Sequence, residues 1–184
     1  CAHPIPSRVG SAFVLQTHGQ LIMVDCGPAT THKLVKAGLD YRAIRTLLIT
    51  HHHFDHTVDF PCFALTQWDQ SKGTEPPLKV FGPPPTSRFV EQVMGMTGPF
   101  IDDMKARVEH SVSVELHKGR GGVLPRPYPK IEATDVGPGS VTSGDGWSVT
   151  CDRVHHSEPW LESLAYRVEH DGQATVFAAD CGDC

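Results

Sequence analysis

Four histidines and an aspartate directly follow a short apolar run near the middle of the first half of this chain. The run is Leu47, Leu48 and Ile49, and residues 50–56 then read Thr-His-His-His-Phe-Asp-His. A continuous apolar run of this length predicts a buried strand. Loops that follow buried strands commonly carry functional side chains. We therefore expect a fold in which a core strand ends at a polar site.

The spacing within this cluster favours metal binding. His51 and His53 are two residues apart, so in an extended segment their side chains point the same way and can bind one ion. Asp55 and His56 follow where the chain must turn, and they can face a second ion. Imidazole and carboxylate groups suit zinc and similar divalent ions. The alternative, a solvated polar loop, is disfavoured by the position after an apolar strand. We interpret His52 as a neighbour of the site and not as a ligand.

The cluster resembles the His-x-His-x-Asp-His motif of the metallo-β-lactamase superfamily. Three further segments resemble motifs of that family in the same order: Leu-Ile-Met-Val-Asp-Cys-Gly at 21–27, Val-His-His at 154–156 and Phe-Ala-Ala-Asp at 177–180. The resemblance covers nearly the whole chain. It implies an α/β fold, the αββα sandwich, with two metal ions at one edge between the sheets.

The resemblance also implies later ligands. A strand over 147–154 delivers two histidines at its end, and we choose His156 as the ligand, with His155 as the alternative. Asp180 ends an apolar strand and is implied as the carboxylate that bridges both metals. Asp25 is interpreted as a structural carboxylate that hydrogen-bonds the neighbouring loops. The implied ligands are His51, His53, His156 and Asp180 for the first ion, and Asp55, His56 and Asp180 for the second.

The family usually has one more histidine on the second metal, well after the bridging aspartate. This chain ends four residues after Asp180 and begins with Cys1 in what reads as a loop. We therefore expect residues 1–184 to form one metallo-β-lactamase-like domain that is incomplete at both ends and lacks its C-terminal part. The complete domain is expected to hold two Zn²⁺ ions, with iron or manganese as alternatives.

The hydrophobic pattern outside the motifs predicts strands, then helices, then strands. Two sheets with helices outside them fit this order, although pattern alone leaves other α/β arrangements open. The predicted strands are 12–17, 21–25, 45–50, 78–81, 112–118, 130–136, 147–154, 164–169 and 175–179. The predicted helices are 30–37, 60–69, 87–94 and 102–109.

The implied activity is hydrolysis by a metal-bound hydroxide, with Asp55 as the catalytic residue that orients the water and accepts a proton. The proline-rich segment 82–85 and the spacing from His156 to a Tyr-Arg strand most resemble the ribonuclease Z and arylsulfatase-like branch. Members that process tRNA usually have glycine in place of Phe54, and their basic arm follows the later histidine. Here the basic stretch 118–130 precedes it, and the net charge is −5. These departures favour a small ester, such as an aryl sulfate, phosphodiester, carboxylic ester or lactone, over RNA.

A ribonuclease Z-like tRNA 3′-processing endonuclease is the alternative function. A di-iron oxidoreductase and a non-catalytic metal-binding protein are alternatives of other classes. We expect a small-molecule substrate, no nucleic-acid or membrane partner, and leave a homodimer open. Six irregularly spaced cysteines are typical of reduced thiols, which favours a cytoplasmic location.

Overall fold

Two β-sheets pack face to face, and helices cover the outer face of the first sheet. The structure, a computed structural model, describes residues 9–182. The first sheet has the spatial order β1 (Phe13–Thr17), β2 (Gln20–Val24), β3 (Ile44–Leu48), β4 (Leu78–Gly82) and β5 (Ile131–Asp135). The strands β1 and β2 form an antiparallel hairpin, and each later neighbour pair is parallel. The functional loops that follow β3 and β4 therefore leave the same edge of the sheet.

The second sheet is an antiparallel meander. Its strands are β6 (Gly139–Gly144), β7 (Trp147–Arg153), β8 (Leu164–His170) and β9 (Gln173–Phe177), in that spatial order. The turn from β8 to β9 has positive φ at Asp171 and Gly172, as a two-residue type I′ hairpin turn requires. The Asp-Gly pair in the sequence is typical of such a turn.

Six helices connect the strands of the first sheet. They are α1 (Thr30–Lys36), α2 (Phe54–Thr57), α3 (Phe60–Asp69), α4 (Thr86–Met94), α5 (Ile101–Glu109) and α6 (Ser111–Gly119), with a 3₁₀ turn at Tyr41–Ala43. None of the helices in residues 9–182 is both long and apolar enough to cross a membrane.

Alternation along β2 and β3 explains the layers. Met23 and Leu47 face the helices and pack in one core, whereas Ile22, Val24 and Leu48 face the second sheet and pack in another. A central strand that is buried on both faces needs apolar residues at every position. The apolar run at 47–49 meets this requirement, and the two-sheet sandwich expected from the resemblance is confirmed.

One predicted strand is wrong, and one short strand and one four-residue α-helix were missed. Residues 112–118 alternate in polarity but form α6, in which Val112 and Leu116 are exposed and His117 is buried. Alternation of polar and apolar residues predicts a strand only if the apolar side chains are buried. In α6 the buried residue is His117, so the alternation does not determine the structure. The missed elements are β6, whose Gly/Ser/Thr composition is typical of a loop, and α2, which is only four residues long.

The four cysteines within the described part of the chain, Cys26, Cys62, Cys151 and Cys181, are free thiols. Cys1 and Cys184 lie outside the described residues. The expectation of reduced thiols therefore agrees with the structure for these four positions.

Strand β8 fixes the end of β3. The Tyr166 hydroxyl donates a hydrogen bond to the Ile49 carbonyl over 2.9 Å, and the Leu164 N–H donates to the Thr50 carbonyl over 2.9 Å. Tyr166 and Ile49 are fully buried. The second sheet thus holds the backbone of the first sheet directly before the histidine cluster.

The first prediction concerns this contact. Tyr166→Phe leaves the buried Ile49 carbonyl without its hydroxyl donor, so it should lower the free energy of unfolding by about 1–3 kcal/mol. Urea denaturation followed by circular dichroism measures the change. Tyr128→Phe, in the loop before β5, is the matched control and should alter stability by less than about 0.5 kcal/mol. Equal stability of Tyr166→Phe and the unaltered protein would contradict the proposed tie between the sheets.

Candidate metal centre

The histidine cluster begins where β3 leaves the sheet. The backbone stays extended after β3, because the Ile49 N–H donates to the Phe81 carbonyl (2.7 Å) and the Thr50 N–H to Asp25 Oδ1 (2.8 Å). Extended backbone places His51 and His53 on the same side, as their spacing predicts. His53 then precedes α2, and the helix turns Asp55 and His56 back toward the same region.

Three imidazole rings converge at one point. His51 Nε2 lies 3.0 Å from His53 Nδ1, and His156 Nε2 lies 3.1 Å from the same His53 atom. Their ligating atoms all lie within 4.8 Å of one another. A tetrahedral zinc ion with bonds of ~2.1 Å separates its ligand nitrogens by about 3.4 Å. The arrangement of the three rings therefore fits a metal ion.

A second group is built around His56. Its members are His51, His56 and Asp180, and their ligating atoms also lie within 4.8 Å of one another. His56 Nε2 is 3.6 Å from Asp180 Oδ2 and 3.8 Å from Asp55 Oδ2. Within residues 9–182 this nitrogen is buried and has no hydrogen-bond partner. Unpartnered buried polar atoms are rare and costly, and a metal ion would satisfy this one.

Asp25 orients His56 from behind. The His56 Nδ1–H donates to Asp25 Oδ2 over 2.7 Å, and both side chains are fully buried. The Thr50 hydroxyl also donates to Asp25. Because Nδ1 carries the proton, His56 Nε2 presents a lone pair to the cluster, as a ligating histidine requires. These contacts agree with the interpretation of Asp25 as a structural carboxylate.

His52 lies outside both groups. Its Nε2 is 2.9 Å from Thr86 Oγ1 and 3.3 Å from the Pro83 carbonyl, and its ring packs edge-on against Phe89. The ring therefore ties the histidine cluster to the start of α4. His52 therefore lies beside the candidate ligands without joining them, as the sequence predicts.

The later histidine in the cluster is His156. His155 points into solvent, with a side chain that is 94% exposed, and its Nδ1 lies 3.5 Å from Glu158. Asp180 Oδ2 is 4.0 Å from His156 Nε2 and so lies between the two groups. Asp55 is buried beside His56 but belongs to neither convergent group. The structure thus brings together five of the six candidate ligands and places the sixth, Asp55, at their edge.

Electrostatics act differently on the two buried rings, His51 and His56, and keep His51 in the neutral form that binds metal. Burial, together with the nearby His56, His53 and His156 rings, lowers the pKa of His51 to about 3. His51 is therefore neutral at neutral pH. Burial disfavours charge on His56, but the hydrogen bond and the charge of Asp25 outweigh it and raise the pKa of His56. A metal ion at His56 Nε2 would take the place of that proton.

The second prediction tests the choice of ligands. His51→Ala and His53→Ala should abolish tight zinc binding, because each removes a nitrogen from the convergent rings. His52→Ala should retain it, since His52 contacts only the α4 region. Zinc content after dialysis, measured by mass spectrometry, distinguishes the variants.

The later pair is tested in the same way. His156→Ala should lose zinc, and His155→Ala serves as its control. Equal loss in His52→Ala, or a greater loss in His155→Ala, would refute this ligand set.

The third prediction concerns Asp25. Asp25→Asn removes the carboxylate that fixes the His56 ring, so zinc affinity should fall by roughly 10- to 100-fold. A competition titration against a chelating dye measures the affinity. Asp59→Asn is the matched control, because the Asp59 carboxylate accepts its hydrogen bonds from Thr31 on α1. Equal affinity of the two variants would show that Asp25 does not support the site.

Comparison with known proteins agrees with this geometry. A family model described as "Anti-Pycsar protein Apyc1" matches residues 6–83. Ribonuclease Z of Mycolicibacterium gilvum is 30% identical over 184 residues, which cover 98% of this chain and 59% of that protein. Ribonuclease Z of Mycobacterium marinum is 29% identical over 98% of this chain and 60% of its own length. The chain therefore spans about 60% of the length of these relatives.

Two solved structures share the fold. The short form of human tRNase Z superimposes with a TM-score of 0.67 at 22% identity, over 98% of this chain and 65% of that one. The metallo-β-lactamase fold protein YhfI of Bacillus subtilis superimposes with a TM-score of 0.62 at 17% identity, over 97% of this chain and 59% of that one.

These names contradict one expectation from the sequence. A small-molecule substrate, with nucleic acid disfavoured, is wrong for a chain whose relatives are called ribonuclease Z and tRNase Z. The expectation relied on Phe54 in place of glycine, on the position of the basic stretch 118–130 and on the net charge of −5, which averages over the whole surface. A site that gathers divalent cations can bind a polyanion locally, whatever that average is. Its motifs and its two-sheet fold are those of the metallo-β-lactamase superfamily, and its sequence is similar to that of ribonuclease Z over 98% of its own length.

Proposed function

We propose that this chain carries the metal centre of an endoribonuclease that hydrolyses a phosphodiester bond in tRNA or a tRNA-like RNA. The observation that carries the proposal is the pair of convergent ligand groups that share His51. Similarity to ribonuclease Z over 98% of the chain supports RNA as the substrate class. Because the chain spans about 60% of those relatives, the proposal concerns the activity of the whole protein.

Zinc is proposed as the metal because four of the six candidate ligands are imidazoles, which suit zinc better than magnesium or calcium. Iron and manganese remain the alternatives. When bound, two such ions would acidify a water molecule and offset the negative charge of the phosphodiester. The proposed ligands are His51, His53 and His156 for one ion, and His56 with Asp55 for the other, with Asp180 between them.

Asp55 is proposed as the catalytic base. Its carboxylate is buried, and its Oδ2 lies 3.8 Å from His56 Nε2, so it stands at the edge of the second group. In the reaction a water oxygen would form a bond to phosphorus while its proton passes to the Asp55 carboxylate. The bond from phosphorus to one ester oxygen would break, and that oxygen would leave as a hydroxyl after it takes a proton from Asp55 or from solvent. A nucleophilic serine or cysteine is not needed for this step.

The backbone scaffold around Asp55 restricts its position. The Ser11 N–H donates to the Asp55 carbonyl (3.2 Å), and the Cys26 N–H donates to the His56 carbonyl (2.7 Å). Both bonds hold the start of α2 against the loops that precede and follow the β1–β2 hairpin. A carboxylate held in this way loses little entropy when it accepts a proton from a bound water.

The fourth prediction tests the reaction. Zinc-loaded protein should cleave a tRNA precursor with a 3′ extension, and a chelator should abolish the cleavage. Asp55→Asn should lower the rate by about 10²- to 10⁴-fold, the contribution of a general base. Gel analysis of end-labelled RNA gives the rate and maps the cleaved position. Asp152→Asn, an exposed aspartate at the end of β7, is the matched control. Cleavage of small phosphodiesters without cleavage of any RNA would refute the proposed substrate.

A further inference from the structure

Two large apolar side chains next to the metal cluster are exposed. Phe54 is 61% exposed and Val58 is 54% exposed. They are four residues apart on α2 and its C-terminal cap, so they lie on the same face. The next apolar residue along the chain, Phe60, is fully buried. Contiguous exposed apolar surface of this kind marks a binding site more often than isolated apolar residues do.

The fold does not need the Phe54 ring. Residues Asp55, His56 and Thr57 anchor α2, and all three are buried. Phe54 belongs to neither hydrophobic core of the described residues. It lies between His53, a ring of the first group, and Asp55, the proposed base. An aromatic ring is thus exposed to solvent on the residue that directly follows a ring of the first group.

A second exposed aromatic residue comes from the other sheet. Trp160 is 86% exposed, whereas Trp68 and Trp147 are buried. It lies four residues after His156 in the loop between β7 and β8. That loop is a tight turn, because the Trp160 N–H donates to the Ser157 carbonyl over 3.0 Å and Ser157 pairs with Leu161. Each of the two aromatic residues therefore lies near a candidate ligand in sequence: Phe54 follows His53 after β3 of the first sheet, and Trp160 follows His156 after β7 of the second.

We propose that Phe54 and Trp160 are base-stacking residues that position unpaired nucleotides on the two sides of the scissile phosphodiester. This inference rests on the proposed function. Every base has a π-face, so an aromatic ring can bind single-stranded RNA of any sequence. A chain with a net charge of −5 has no long-range attraction for RNA phosphates. Stacking supplies affinity that does not depend on that attraction, and it places the backbone over the metal cluster.

Binding of RNA with and without the stacked base tests the inference. The zinc-loaded protein is titrated into fluorescein-labelled RNA in which the scissile phosphate, mapped in the cleavage assay, is a methylphosphonate. A second RNA carries an abasic nucleotide next to that position, first on one side and then on the other. Anisotropy gives the dissociation constants.

Phe54→Ala should weaken binding of the complete RNA by about tenfold, the contribution of one stacked base. It should weaken binding of one of the two abasic RNAs by less than about twofold, because there the base to be stacked is already missing. Phe54→Trp should restore affinity, whereas Phe54→Leu, which is apolar without a π-face, should not. Trp160→Ala should show the same pattern with the abasic nucleotide on the other side. Leu116→Ala on α6, at a residue that is 57% exposed, is the control and should bind like the unaltered protein.

Several outcomes would overturn the inference. Equal weakening by Phe54→Ala for the complete and both abasic RNAs would exclude stacking but leave the proposed function intact. Full affinity of Phe54→Leu would show that the surface is merely apolar. A change in molecular mass for Phe54→Ala in light scattering would show that a second copy of the chain covers the face. If the unaltered protein cleaves small phosphodiesters but no RNA, the proposed function and the stacking role fail together.

Discussion

The buried carboxylate of Asp25 connects the three segments on which the metal centre depends. It lies at the end of β2, accepts hydrogen bonds from the Thr50 N–H at the start of the histidine cluster, and accepts one from the His56 ring at its end. A buried carboxylate is costly unless its lone pairs are satisfied. The hydrogen bonds that offset the burial of Asp25 also shape the site. They fix where the histidine cluster begins and which nitrogen of His56 faces the metal site.

The candidate ligands are divided between the two sheets, so the packing of the sheets determines the site. His51, His53 and His56 follow β3 in the first sheet, whereas His156 follows β7 and Asp180 follows β9 in the second. A displacement of one sheet by 1 Å would separate His156 from His53, whose nitrogens are 3.1 Å apart. The hydrogen bond from β8 to the end of β3 and the core between the sheets oppose such a displacement. Metal binding would further oppose displacement of the sheets, because an ion that binds ligands from both sheets stabilises only the folded arrangement.

Much of this could be predicted from the sequence, and the failures have physical reasons. The apolar run at 47–49 and the spacing of His51 and His53 are local features, so they predict the strand and the paired rings directly. The choice between His155 and His156 is not local, because it depends on the path of the loop after β7, and only the resemblance favoured His156. Residues 112–118 were predicted as a strand because polar and apolar residues alternate there. The sequence does not show which of these side chains pack in a core. Two of the apolar side chains of α6, Val112 and Leu116, are exposed while His117 is buried, and no periodicity of a single segment reveals this.

Net charge contributed to the wrong prediction of the substrate, because the sum of all charges does not describe the surroundings of one site. Long-range attraction scales with the field of the whole protein, but discrimination depends on contacts made within a few ångströms. Two exposed aromatic side chains lie close to ligands along the chain: Phe54 on α2 directly after His53, and Trp160 in the loop between β7 and β8, four residues after His156. A site of this kind should bind a strand slowly and with a shallow dependence on salt, since few counterions are released for each base that stacks. The acidic composition and an RNA substrate are therefore compatible, provided that the metal ions bind the phosphate and the aromatic rings bind the bases.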